Sequence, residues 1–483
     1  MNILENLEPK KVMHFFEELS GIPRGSYNEK AASDYVKQFA LDRNLEVVQD
    51  ELFNVVIKKP GTKGKENNET VMLQGHLDIV CEKNKDTDHD FLKEGIKLKV
   101  DGDWISGTGT TLGADNGVAV AISMAILDSV DLEHPPLEVV LTSQEETGMG
   151  GALALDTDIL KSTKMINIDT DTEGVFLTSC AGGTKSKGIL KIDYVDIDKS
   201  KFQGYALEVK GLKGGHSGAE IDQQRGNANK LAFRIMQKIQ DNSNLYIYNV
   251  DGGAKDNAIP RECLVAFMLD NNDVDKVKTL VDKLSQDIKK EFSVQDSGLE
   301  ITLTESECVD KGFSKENTIA LINAMKLLQN GVISMSMNIK GLVETSNNVG
   351  VVKLEDGKVV ITSALRSAVL SKKEAVKDMI TLVYDTFGFE SEFFGDYPAW
   401  EYKAESELRP FVAKAYEELF GTEPEFAAIH AGLECGLIIG KMPNLDIIAT
   451  GATIVGAHTP EEKVSISSID KAYKLIVNLL SKL

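Results

Sequence analysis

Apolar positions first recur along the chain at helical spacing. Met13, Phe16 and Leu19, then Ala32, Tyr35, Val36 and Phe39, predict two amphipathic helices joined by Ser20-Gly-Ile-Pro-Arg-Gly-Ser26. The pattern then shortens to runs that read as strands at 45–48 and 54–57, and a polar tract from Gly61 to Glu69 reads as a surface loop. Beyond it, short apolar runs each abut an imidazole or a carboxylate: 71–75 before His76 and Asp78, a run ending at Leu141 before Glu145 and Glu146, and 165–168 before Asp169. Residues 118–127 are apolar on nearly every side and predict a helix covered by other elements, with Asp115 at its start between Gly113 and Gly117. In an open α/β sheet the ends of parallel strands lie side by side, so side chains delivered there converge although far apart in sequence. One more such end runs from Leu445 to His458.

Past Cys180-Ala-Gly-Gly183 the strand-end acids give way to alternating segments such as Ile189-Leu-Lys-Ile-Asp-Tyr194 and Tyr205-Ala-Leu-Glu-Val209. Long amphipathic helices follow at 228–239 and 274–292. This texture predicts an α+β insertion with antiparallel strands and helices on one face. Within it, 257–267 and 359–367 are faintly alike, and each leads into a helix. Tyr397-Pro-Ala-Trp400 marks the return, after which a helix at 410–419 and the strand-rich stretch before His458 rejoin the first segment. The expected architecture is α/β: a discontinuous first domain over 1–184 and 398–483, and an inserted α+β domain over 185–397. A chain of 483 residues exceeds what one hydrophobic core supports.

Composition narrows the setting. No apolar run reaches the roughly 20 residues of a membrane-spanning helix. The opening Met1-Asn-Ile-Leu-Glu lacks the basic and apolar regions of a signal peptide, so a cytoplasmic location is expected. Five scattered cysteines without Cys-x-x-Cys spacing (Cys81, Cys180, Cys263, Cys308, Cys435) point to thiols in a reducing compartment, not to a disulfide framework or a zinc ribbon. A net charge of −22 would repel a nucleic-acid backbone or an anionic membrane, so neither is expected as a partner.

Taken singly, the polar residues at the run ends have ordinary explanations. His76 and Asp78 would make a hydrogen-bonded pair, Asp115 a helix N-cap, Glu145 and Glu146 solvated loop acids and Asp169 a turn residue. Jointly, the order His, Asp, Glu-Glu, Asp, His at successive strand ends is the donor set of a divalent metal site. Gly107-Thr-Gly-Thr-Thr-Leu-Gly113 lacks the Gly-Lys-Ser/Thr ending of a phosphate loop, and no His-Glu-x-x-His helix occurs. The motifs Gly75-His-Leu-Asp78, Gly113-Ala-Asp-Asn-Gly117, Thr142-Ser-Gln-Glu-Glu-Thr-Gly148 and His458-Thr-Pro-Glu-Glu462 resemble those of the co-catalytic di-zinc peptidases that include aminoacylases and glutamate carboxypeptidases. Ser20-Gly-Ile-Pro-Arg24, Asp115-Asn116 and the long insertion are most similar to the aminoacyl-histidine dipeptidase (Xaa-His dipeptidase) branch. The likeness runs over essentially the whole chain.

That resemblance implies a zinc-binding catalytic domain with an inserted lid domain, two zinc ions per chain (manganese or cobalt being alternatives), and hydrolysis of unblocked dipeptides, Xaa-His above all. His76 and Asp169 would bind one metal, Glu146 and His458 the other, and Asp115 would bridge them through a segment containing a cis Asp115–Asn116 bond. Asp78 would support the ligands from behind, and Glu145 would be the general base. In the insertion, Gly214-Gly-His216-Ser-Gly218 would supply His216 as a donor to the developing oxyanion. Asn257 and Arg366 would hold the substrate, with the Arg366 fork on its C-terminal carboxylate. His14, His89, His134 and His430 are left as structural or exposed. The partner expected is a small peptide, and a homodimer is compatible with this reading. A tripeptidase or an N-acyl amino acid deacylase would use the same metal centre, and a catalytically silent metal-binding protein would share the fold.

Overall fold

The computed structural model describes residues 3–483. The chain divides into two compact units, one running through residue 179 together with 402–428 and 433–483, the other comprising 180–401 with 429–432. The short piece 429–432 is a part of the second unit that lies far from the rest in sequence. Among the described residues no disulfide forms.

An eight-stranded sheet organises the first unit, in the spatial order Glu46–Gln49, Val55–Lys59, Leu137–Thr142, Val71–His76, Lys164–Asn167, Asp446–Ala449, Val175–Cys180, Glu425–Ile429. Its four middle strands run parallel, and the neighbours Val55–Lys59 and Val175–Cys180 pair antiparallel on either side. Every residue of Val71–His76 and Leu137–Thr142 is buried, as expected of strands covered on both faces. The register sets His76 opposite Thr142 and Gln74 opposite Asn167. Residues just past these ends, Glu145, Glu146 and Asp169, therefore emerge beside His76.

The helix Ala114–Asp128 packs on the strand Val71–His76 and on the helices Lys10–Ser20 and Ile466–Lys482. It is buried along almost its whole length, in keeping with its uniformly apolar sequence. Gly75 permits the close approach, since a Cβ there would run into the Asn116 amide and lie 2.7 Å from Ala119 Cβ. Asn116 uses the contact: its Oδ1 accepts from the His76 backbone N–H at 3.1 Å, and its Nδ2 donates to the Ile168 carbonyl at 2.7 Å.

One ordinary alternative falls away here and one sequence expectation needs correction. Asp115 is not an N-cap: Gly113, in the left-handed region at φ 72°, precedes the helix, and Asp115 has a non-helical ψ of 101° inside the first turn. The Asp115–Asn116 bond is cis. His458 does not end a parallel strand either. That strand stops at Ala449, because at Gly451 the chain lies directly on the Thr170 carbonyl and turns out of the sheet. His458 follows the short strand Ile454–Val455, part of a four-stranded antiparallel sheet with Lys463–Ser465, Trp104–Gly107 and Leu98–Asp101.

The second unit is built on an antiparallel sheet with the path Glu300–Glu305, Phe202–Lys210, Cys263–Asp270, Leu245–Gly252, Val343–Glu355, Lys358–Ser367, Gly182–Lys191, Glu390–Tyr397. Alternate residues such as Tyr205, Leu207 and Val209, or Val265, Phe267 and Leu269, share one core with the helices Ala228–Gln240, Val274–Glu291, Lys315–Leu327 and Leu370–Thr386. The two faintly similar stretches lie in strand–helix pairs, Cys263–Asp270 before Val274–Glu291 and Lys358–Ser367 before Leu370–Thr386.

Arg24 ties the strand that delivers His76 to the loop that delivers Asp115. Its buried guanidinium donates to the Leu77 carbonyl at 2.8 Å and the Gly113 carbonyl at 2.7 Å. Burial lowers its pKa to about 10, against the pull of Glu462 and Asp78, so it remains charged at neutral pH. Arg24→Met is expected to lower the unfolding free energy by roughly 3–5 kcal/mol, the cost of removing one partner from a buried charged network. The shift of the urea midpoint of the metal-free protein measures it.

Candidate metal centre

Five of the side chains expected as ligands meet beyond the parallel strand ends. His76 Nε2 lies 3.0 Å from Asp115 Oδ1 and 3.6 Å from Asp169 Oδ1. His458 Nε2 lies 3.2 Å from the other Asp115 oxygen and 3.1 Å from Glu146 Oε1. Asp115 thus faces an imidazole with each oxygen. Two groups, His76/Asp115/Asp169 and Asp115/Glu146/His458, have their ligating atoms within 4.8 Å of one another, and Asp115 belongs to both. Glu145 approaches from the side, with Oε2 4.0 Å from His76 Nε2, and a third such group comprises His76, Glu145 and Glu146.

The two glutamates point to different neighbours, but not through strand alternation. The strand ends at Thr142, and Glu145 and Glu146 sit on the turn that follows. Asp78 fixes that turn. Its Oδ1 accepts from the Glu145 backbone N–H at 3.0 Å and its Oδ2 from that of Glu146 at 3.2 Å, with Ser26 Oγ donating at 2.8 Å. The His76 ring is held chiefly by the Asp78 backbone, its Nδ1 standing 3.0 Å from that carbonyl and 3.4 Å from the carboxylate. Gln144, Met149 and His458 adopt left-handed φ values of 55°, 60° and 64°, uncommon for side-chain-bearing residues and found where the surrounding structure dictates the backbone.

Charge in this mouth is unbalanced, with four carboxylates against two imidazoles. Burial pushes the Glu145 carboxyl well above its usual range and raises those of Glu146 and Asp169. Burial acts the same way on Asp115, but hydrogen bonds to His458 and His76 override it and hold that carboxylate far down. His458 is pushed up to about 10 by its contacts with Asp115 and Glu146. Burial alone would lower the His76 pKa, yet Asp169, Asp115 and Asp78 raise it well above the usual value. Glu146 Oε1 is buried without a hydrogen-bond partner although an imidazole nitrogen lies 3.1 Å away. Lone pairs that converge with so few protons among them fit divalent cations, and mixed nitrogen and oxygen ligation suits zinc, manganese or cobalt.

Other positioning residues were not recognised in the sequence. Glu462 closes the last quoted motif, and its carboxylate accepts from the backbone N–H groups of Leu112, Gly113, Ala114 and Asp115 at 2.8–3.4 Å. Glu434, fully buried at the start of the helix Glu434–Lys441, had no signal beyond being a lone acid in an apolar segment.

In the second unit, the His216 and Asn257 loops pair: Ser217 N–H donates to the Asn257 carbonyl at 2.9 Å. Arg366 Nη1 donates to the Tyr397 hydroxyl at 3.0 Å, while its buried Nε has no partner. His430, expected to be structural or exposed, is buried with Nε2 2.7 Å from Ser346 Oγ, and burial, then Arg366, lowers its pKa to about 3. A Cβ on Gly218 would come within 2.6 Å of the His430 carbonyl, 3.0 Å of His216 Cε1 and 3.1 Å of Arg366 Nε, so these groups close on one point. His89 and His134 are buried, and the His14 side chain is half-exposed beside Glu18.

An α/β domain that gathers imidazoles and carboxylates at parallel strand ends, interrupted by an α+β insertion, has the architecture of a metallopeptidase with a catalytic and a lid domain. The chain matches peptidase family M20/M25/M40 over residues 72–482 and belongs to that family. It is 38% identical to the cytosol non-specific dipeptidase of Escherichia coli (strain K12) over 487 residues, 100% of this chain and 99% of the relative. The crystal structure of aminoacylhistidine dipeptidase from Vibrio alginolyticus matches with a TM-score of 0.92 at 37% identity, covering 99% of this chain and 98% of that one. The aminopeptidase PepT from Bacillus cereus ATCC 10987, at 16% identity, TM-score 0.57 and 99% coverage of both chains, shares the fold.

The raised pKa values of His76 and His458 make metal binding compete with protons. Both shifts favour the protonated ring in the metal-free protein, and a ring must lose its proton to ligate. Apparent zinc affinity should therefore rise with pH between 6 and 8, by about one to two log units per pH unit if one or both rings release a proton. Calorimetry in buffers of different ionisation enthalpy counts the protons. Zinc binding without proton release would exclude these histidines as ligands.

Proposed function

We propose that the chain is a cytoplasmic dipeptidase that holds two zinc ions and hydrolyses unblocked dipeptides, Xaa-His among them. The observation that carries this reading is the Asp115 carboxylate, turned with one oxygen to His76 and the other to His458, so that two ligand groups share it. His76 and Asp169 would hold one ion, Glu146 and His458 the other, with Asp115 between. Two such ions polarise a peptide carbonyl and lower the pKa of the attacking water. The printed names of the relatives, a cytosol non-specific dipeptidase and an aminoacylhistidine dipeptidase, support the substrate class and the compartment. No helix among the described residues is long and apolar enough to cross a membrane.

The chain's own groups would divide the remaining work. Glu145 takes the proton from the attacking water and passes it to the leaving amine; burial raises its pKa and so favours a carboxyl that can hold that proton. Asp78 keeps the Glu145–Glu146 turn in place through the two backbone N–H groups. His216 Nδ1 accepts from the Gly218 and Ala219 N–H groups at 3.3 and 3.0 Å, which places its proton on Nε2. Burial and then Arg366 lower its pKa, so at neutral pH the ring is an uncharged Nε2–H donor suited to a developing oxyanion. Arg366 has a buried, unpartnered Nε–H that a substrate carboxylate would satisfy, and Asn257, exposed on its turn, would bind alongside.

Metal analysis with a small substrate panel tests the whole: about two zinc ions per chain, and turnover of free but not N-acylated dipeptides. Glu145→Ala should keep both ions and lose about 10²–10⁴-fold in kcat, whereas Glu146→Ala should lose one ion; reversed phenotypes would exchange the two roles.

A second test addresses Arg366. Amidating the C-terminus of a good dipeptide should raise KM sharply in the wild type, and Arg366→Ala should make the enzyme nearly indifferent to that change. Equal hydrolysis of free and amidated substrate by the wild type would remove the carboxylate clamp.

A further inference from the structure

Directly behind the metal centre, inside the first unit, lies a buried polar link that the mechanism above does not use. Glu434 is completely buried. Its Oε2 accepts from the Gln74 amide and from Thr142 Oγ1, the latter at 2.6 Å. Gln74 in turn accepts from the Asn167 amide, and Thr142 also reaches the Gly75 carbonyl at 3.2 Å. Gln74 lies two residues before His76, Thr142 three before Glu145, and Asn167 two before Asp169. One carboxyl group on a helix start that comes hundreds of residues later thus joins the last turns of three adjacent parallel strands, each of which delivers a metal ligand or the general base.

We propose that Glu434 is a positioning residue for the metal ligands: through Gln74 and Thr142 it sets the spacing of the strand ends that carry His76, Asp169 and the Glu145–Glu146 turn. The inference rests on the metal-centre reading given above. Backbone pairing alone already fixes the register of these strands, with Gln74 opposite Asn167 and His76 opposite Thr142. What pairing does not fix is the local twist and separation where the ladder stops, and ligation tolerates errors of only about half an ångström. A side-chain link at the last paired residues supplies that restraint. The carboxyl works here as a hydrogen-bonding group and not as a charge. Only one of its oxygens has partners, the other is buried with none, and burial pushes its pKa up to about 8, so it is mostly un-ionised at neutral pH.

Zinc affinity by chelator competition, kcat and KM, and the thermal midpoint of the metal-free protein, compared among wild type, Glu434→Ala and Glu434→Gln, test this. Glu434→Ala should bind zinc about 10–100-fold more weakly and lose kcat, with KM changed by less than about threefold because no substrate contact is removed. Glu434→Gln, which keeps an uncharged acceptor of the same reach, should recover most of the affinity and the rate. A Glu434→Ala protein that is less stable but binds zinc like the wild type would overturn the inference in favour of a merely structural role. A Glu434→Gln protein as impaired as the alanine variant would overturn it in favour of a role for the charge. If Glu434→Ala does not fold, Thr142→Val breaks one arm of the same link, and wild-type zinc affinity in that variant would overturn the proposal. The wild type separates this inference from the reading beneath it: a wild type that takes up no zinc sinks the metal-centre reading itself, whereas a normally loaded wild type beside a normally loaded Glu434→Ala sinks only the role of Glu434.

Discussion

Four carboxylates cannot stay ionised in one buried mouth without positive charge among them. Two like charges 4 Å apart repel by about 4 kcal/mol at an effective dielectric of 20, and the ligand groups here have their atoms within 4.8 Å of one another. The chain supplies two imidazoles: burial, with the neighbouring acids adding to it, raises Glu145, Glu146 and Asp169, while hydrogen bonds with both rings hold Asp115 down. Such a cluster would relax by turning its carboxylates out to water if the backbone allowed it. Much of the first unit's architecture amounts to preventing that.

The restraints act mainly on backbone and so do not depend on what occupies the mouth. Asp78 and Glu462 are acids that are not counted among the ligands, and both are spent on main-chain N–H groups: Asp78 on the Glu145–Glu146 turn, Glu462 on the four residues leading into and including Asp115. Arg24 sits between them, donates to two carbonyls and draws their charge. Asn116 completes the frame by joining His76 to Ile168, the residue before Asp169. The segments that carry His76, Asp115, Glu146 and Asp169 are thus each pinned within one residue of the candidate ligand, the arrangement that lets a site hold its geometry while its charges repel.

The candidate ligands are legible in the sequence and most of the frame is not, for a single physical reason. A buried parallel strand is mostly apolar, and the few polar residues inside these strands, Gln74, Glu138, Thr142 and Asn167, are buried with it, so the imidazole and acids at or just past the strand ends are conspicuous: His76, Glu145, Glu146 and Asp169. His458 was found by the same rule although it follows a different, antiparallel strand, because the motif His458-Thr-Pro-Glu-Glu462 carried it. The insertion showed itself through its change from strand-end acids to alternation. Frame residues have no such contrast. The resemblance assigns Asp78 a supporting place behind the ligands, but nothing local shows that its carboxylate, or that of Glu462, accepts from backbone N–H groups far away in sequence. Glu434 and His430 lie in one stretch, 430–434, that the division of the chain splits between the two units, and no periodicity signals a segment that contributes single residues to each.

On the function proposed above, the separation between chemistry and recognition would follow from the kinds of group present in each unit. The metal centre gathers carboxylates and imidazoles, groups suited to cations and to water but without a fixed cation to pair with a peptide's C-terminal carboxylate. Hydrogen-bond donors of the opposite character, the Nε2–H of His216, the unpartnered Nε–H of Arg366 and the Asn257 amide, belong to the second unit. Two of them are held closely: a Cβ on Gly218 would collide with the His430 carbonyl at 2.6 Å and press on His216 Cε1 and Arg366 Nε at 3.0 and 3.1 Å, whereas Asn257 is exposed on its turn. The Arg366 Nε–H beside that turn is buried without an acceptor, and on the reading proposed above a substrate carboxylate would supply one.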